Sequence, residues 1–165
     1  MRPYNKYKLQ KGITLVELIL VVSLSMLLAG YATVNLLNAK RQSSLSTSID
    51  KFLVDLKQQQ LKAMIGDTEG RSTSDNYGIQ FGSTTYTLFH GSYSSNDSTN
   101  FSIALGDNIQ FATITFPNSQ IIFLKGSGEI NNYNTNSNTI TLKDIVNNNQ
   151  KTITINRYGV VTNIN

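Results

Sequence analysis

Apolar positions change their period twice along the chain. From Ile13 to Leu37 they are nearly continuous, and Glu17 is the only charged side chain among them. Beyond that, Leu45, Ile49, Phe52, Leu53, Leu56, Ala63 and Met64 fall close to three-and-four spacing, with Asp50, Lys51, Asp55, Lys57, Gln58 and Lys62 in most of the other places. That is the pattern of a helix laying one face on a core. No proline interrupts 13–65, so both stretches are expected in one long helix, with Gly30 costing about 1 kcal/mol relative to alanine and marking where it could bend. The glycine-flanked polar stretch 66–76 reads as a loop. After it the period becomes alternating: 77–81, 85–89, 109–116, 120–124, 139–142 and 152–156 are short runs rich in Ile, Phe, Thr and Tyr, separated by Gly, Asn, Ser and Asp.

This order predicts an α+β fold, a long N-terminal helix packed on a small antiparallel sheet or sandwich. About 125 residues follow the apolar segment, enough for one hydrophobic core and not for two conventional domains. The Ser- and Asn-rich stretches 92–100 and 131–138 are expected to be exposed loops, and Gly126-Ser127-Gly128 a hairpin turn.

The first apolar segment is long enough to cross a bilayer: 25 residues at about 1.5 Å each span roughly 38 Å, against a hydrocarbon core of about 30 Å. Arg2, Lys6, Lys8 and Lys11 precede it with no acid among them, and such charge is retained on the cytoplasmic side. Everything after Leu37 is then expected to face outward. A charged residue at the centre of such a helix costs about 2.5 to 3.5 kcal/mol, and less toward an end, so Glu17 calls for a cationic partner. Cleavage after Gly12 would create one, because a free α-amino group at Ile13 has a reference pKa near 8 and would lie about one helical turn from Glu17. The same amine on a neighbouring subunit would serve equally well.

Lys11-Gly12-Ile13-Thr14-Leu15-Val16-Glu17-Leu18 resembles the processing site of type IV pilins and type II secretion pseudopilins. The resemblance implies a leader, 1–12, removed after Gly12 by a prepilin peptidase of the membrane. It also implies N-methylation of Ile13 as the new first residue, and a docking role for Glu17 during assembly with other pilins. Ile13 departs from the phenylalanine usual at that position. The implied division is leader 1–12, membrane-spanning helix 13–37, amphipathic helix 38–66 and β-rich domain 67–165. Phe-x-x-Asp-Leu at Phe52 to Leu56, together with the strand and glycine of Arg157-Tyr158-Gly159-Val160-Val161, is similar to GspH/FimT-type minor pilins in particular. A single-pass protein of the cytoplasmic membrane, later built into an extracytoplasmic filament, is what this likeness predicts. Two alternatives stay open on the residues themselves. One is a secretory signal cut at Gly30-Tyr31-Ala32, against which stand Glu17 inside the apolar region and a helical pattern that does not stop there. The other is a permanently uncleaved anchor.

Charge and composition narrow the chemistry. The 165 residues carry 14 basic and 10 acidic side chains, but four of the basic ones lie in the leader, leaving ten against ten from Ile13 onward. A global electrostatic attraction to nucleic acid or anionic lipid is therefore not expected. Cysteine is absent, which excludes disulfides and thiol chemistry. His90 is the only histidine and is expected to be a strand or turn residue without a ligand role. No Gly-x-Ser-x-Gly occurs, and no enzymatic activity, cofactor or metal is expected. Asp97, Asp107 and Asp144 sit in polar stretches but fit no EF-hand spacing and are expected to be solvated loop acids. Some FimT-type relatives bind DNA through arginines near the C-terminus, and Lys143, Lys151 and Arg157 are the candidates here. The Gly-Arg-x-Arg pattern of those relatives is missing, since Val160 and Val161 follow Gly159.

Overall fold

A computed structural model describes residues 12–165; residues 1–11, with Arg2, Lys6, Lys8 and Lys11, lie outside it. Helix α1 runs over Leu15–Ile65 and passes through Gly30 without interruption. Its start and stop are both written locally. At the start, Thr14 is the N-cap: its Oγ1 accepts the Glu17 N–H at 3.2 Å, and its carbonyl accepts the Leu18 N–H at 3.1 Å. At the stop, Gly66 takes φ +67°, the left-handed conformation that ends helices. Asp67 N–H then donates to the Lys62 carbonyl at 3.0 Å and Gly66 N–H to that of Ala63 at 3.3 Å, which is a Schellman motif.

The chain divides into two units, residues 1–40 and 41–165. In the first, every described residue is exposed, including the apolar side chains of the segment that is long and apolar enough to cross a membrane.

The second unit holds the last part of α1 and eight strands: β1 Tyr77–Phe81, β2 Thr85–His90, β3 Phe101–Ala104, β4 Ile109–Ile114, β5 Gln120–Phe123, β6 Thr139–Asp144, β7 Gln150–Ile155 and β8 Val161–Ile164. They form two four-stranded antiparallel sheets, one in the order β3-β2-β1-β5 and the other β4-β6-β7-β8. One core joins them to the helix. Leu45, Ile49, Phe52, Leu56 and Ala63 supply the helical side, Tyr77, Ile79, Tyr86, Ile121 and Phe123 come from the first sheet, and Ile140, Leu142, Ile153 and Ile155 from the second. Phe52 is the hub, with ring centroids 5.6 to 6.1 Å from Phe81, Tyr86 and Phe111. Such tilted aromatic pairs add to the area they bury.

The α+β expectation holds, and of the single sheet and the two-sheet arrangement it left open the chain forms two small antiparallel sheets. Four details differ from the sequence reading. Strand β3 was not expected, because its four residues follow the polar loop directly. The run 109–116 stops pairing at Ile114, after a bulge between Phe111 and Thr113, and Phe116 enters the core from beyond the strand. Met64 is exposed, whereas Ser48, Gln59 and Gln60 take buried places on the helix. Asp144 is no solvated loop acid: it is 2% exposed at the end of β6, and its Oδ1 accepts the Val146 N–H at 2.9 Å. It shapes the β6–β7 turn by the local bonding that favours Asp in turns.

Candidate functional site

Gly12 and Ile13 precede the helix and are both exposed. Thr14 and Glu17 then stand as N-cap and N3, the Thr-x-x-Glu spacing of a capping box. An acid in the first turn also meets the positive end of the helix dipole. The placement of Glu17 is thus favourable within its own helix, a compensation that the sequence reading overlooked although the spacing was visible.

Three hydroxyls deeper in the apolar segment are satisfied within the helix itself. Ser23, Ser25 and Thr33 each donate a hydroxyl to the carbonyl four residues earlier, at 2.8 Å. Their hydrogen-bonding capacity is turned inward, as a lipid-facing or helix-facing surface requires. What remains on the outside of the segment is mostly apolar surface, with the Tyr31 hydroxyl, the Asn35 amide and, near its beginning, one carboxylate.

The three candidate cations of the β unit do not converge. Lys151 pairs across the ladder with Leu142, so the two share a face, while Lys143, one residue on from Leu142, points to the opposite side of the same sheet. Arg157 is engaged by Glu129, whose Oε2 accepts from its Nε at 3.0 Å and from its terminal nitrogen at 2.8 Å. Tyr158 is exposed beside it. The carbonyls of Tyr158 and Gly159 are held by the helix: Gln60 Nε2 donates to Tyr158 at 2.6 Å and to the Gly128 carbonyl at 3.0 Å, and Lys57 Nζ donates to Gly159 at 3.1 Å. Gly159 can be nothing larger here, since a Cβ would lie 2.5 Å from the Gln60 amide and its φ is +66°.

Around His90 lies a group of polar and charged side chains. His90 ends β2, and its Nε2 is 3.1 Å from the Thr99 hydroxyl, which in turn donates to Asp97 at 2.7 Å. Those Thr99 hydrogen bonds hold the Asp97 carboxyl below its ordinary value. Nearby, burial pushes the Glu69 carboxyl up, but hydrogen bonds from Lys62 at 2.5 Å and Arg71 at 2.9 Å outweigh it and leave Glu69 lowered. The Tyr86 phenol is driven far up by burial and by its hydrogen bond to the Asp55 carboxylate, so it stays protonated and donates. Among the described residues, no three His, Asp or Glu side chains gather as a metal site would require.

Compared with protein-family models, with curated proteins and with solved structures, the chain gives no match.

Proposed function

We propose that the chain is a minor pilin or pseudopilin, a structural subunit of a type IV pilus or type II secretion-like filament. With the leader 1–12 still attached it waits in the cytoplasmic membrane, anchored by its apolar helix, until a prepilin peptidase cuts after Gly12. Ile13 becomes the first residue and is N-methylated. The apolar helix then exchanges lipid for the helices of other subunits, and Glu17 pairs with a neighbour's terminal amine. The β unit stays outside the membrane and makes the lateral contacts.

The observation that carries this reading is the surface of the first helical segment. It is predominantly apolar, the hydroxyls of Ser23, Ser25 and Thr33 are bonded back to its own backbone, and its one charged side chain, Glu17, stands in the first turn, five residues after the exposed Gly12. Such a surface is stable in lipid or against copies of itself, and only there. Mass spectrometry of the protein isolated from cells tests the reading. A first peptide beginning at Ile13 and carrying one extra methyl group is expected. A chain that retains its leader, or one that begins at Thr33, overturns it.

A further inference from the structure

A cavity of about 360 Å³ lies between α1 and the edge of the first sheet, within residues 41–165 and away from Gly12, Ile13 and Glu17. Asp55, Gln58 and Gln59 line its helical side, and Leu88, Phe101 and Ile103 its sheet side. Its size falls in the range of sites that take ligands. Gln59 is 3% exposed, yet its Oε1 has no hydrogen-bond partner among the described residues. An amide oxygen buried without a partner is costly, and it marks where a donor is missing.

The adjoining strand is also incomplete. β3 is the outer strand of its sheet and pairs only with β2. Leu105 N–H donates to the Thr84 carbonyl, so pair 84–105 is hydrogen-bonded, and alternation makes Ile103 and Phe101 the residues bonded to β2. Ser102 and Ala104 therefore turn their backbone N–H and C=O outward. Phe-Ser-Ile-Ala carries none of the charges or prolines that normally blunt such an edge. Phe101, on the cavity side, is 65% exposed.

The geometry points to a peptide-binding site: an extended strand of another polypeptide adds to β3, bonds Ser102 and Ala104, and drops a side chain with a hydrogen-bond donor into the cavity toward Gln59. An added strand lies about 4.8 Å outside β3 and places every second side chain on the cavity side. A free backbone edge recognises only another extended backbone. The neighbouring apolar wall of Phe101, Ile103 and Leu88 selects apolar residues two positions before and after the donor.

The test uses the full chain in lipid nanodiscs and the capped pentapeptide Val-Thr-Gln-Thr-Val, with a control in which both threonines are proline. Nuclear magnetic resonance should show saturable shifts at the Ser102 and Ala104 amides and at the Gln59 side-chain amide. Ala104→Pro, at an edge position that tolerates proline, and Gln59→Leu should each weaken binding by about tenfold. Gln59→Leu should melt no lower than the parent, because it removes an unpaired polar atom. Equal binding of the proline control, or unchanged binding by both variants, overturns the proposal. Shifts at β3 that follow protein concentration without peptide would assign the edge to a second copy and overturn it as well.

Discussion

Gln60 shows how one side chain can join distant parts of a chain. It is buried on α1, donates to the carbonyls of Gly128 and Tyr158, and accepts from Lys57 Nζ at 2.9 Å. Both carbonyls belong to turns that the helix also holds through the Ala63 carbonyl, which accepts the Gly126 N–H at 2.8 Å, and through Lys57 on the Gly159 carbonyl. Gln60→Ala should therefore destabilise the β unit by about 2 kcal/mol, since two acceptors lose their donor and little apolar area is lost. A urea unfolding midpoint checks this, and Gln60→Glu should not rescue it, because a carboxylate accepts and does not donate. Periodicity marked Leu45, Ile49, Phe52 and Leu56 correctly as core, because each is apolar and each recurs on one face. It missed Gln59 and Gln60, which occupy the same face, because hydropathy treats glutamine as a surface residue and cannot see what it will bond.

Among the elements, the junction after α1 carries a pH dependence. Glu69 follows the Schellman turn and accepts from Lys62, in the last turn of the helix, and from Arg71 in the loop. Burial alone would raise its carboxyl; the two cations lower it. A lowered folded-state value means that the unfolded chain takes up the proton first. The stability that Glu69 adds is then complete above its unfolded value, near 4.3, and drains away as pH falls through the folded value. Melting temperature should be level between about pH 7 and pH 5 and drop below about pH 4, with Glu69→Gln reducing the drop. The effect is modest, because the group is partly solvated. The end of the helix and most strands were legible for local reasons: a glycine-flanked polar stretch begins at Gly66, and alternating Ile, Phe and Thr suit a half-buried sheet. β3 was not, since four residues after a polar loop carry too little periodicity to separate a strand from an extended linker.

At the level of the whole chain, the filament proposal turns on Glu17, which has two candidate roles that substitutions can separate. As N3 of a capping box it needs only an acceptor, which glutamine also supplies. As the partner of an amine it needs its charge. Glu17→Val should leave cleavage after Gly12 intact and lower incorporation into filaments. Glu17→Gln, which keeps the cap and loses the charge, should lower it to a similar extent, by about tenfold or more on immunoblots of sheared filaments. Normal incorporation of Glu17→Gln would leave the carboxylate as a helix cap alone.

The order of residues alone was enough for the apolar helix, the loop that ends it, the change from helical to alternating period, and the α+β class. Each of these depends on neighbours within a few positions. The division of eight strands into two sheets, the burial of Asp144, the clasp of Gln60 on Gly128 and Tyr158, and the separation of Lys143 from Lys151 came only with the folded chain. They depend on pairing between residues far apart in the chain, and pairing register decides which face a side chain takes. A one-residue difference puts a lysine on one side of a sheet or the other, and no local pattern encodes it.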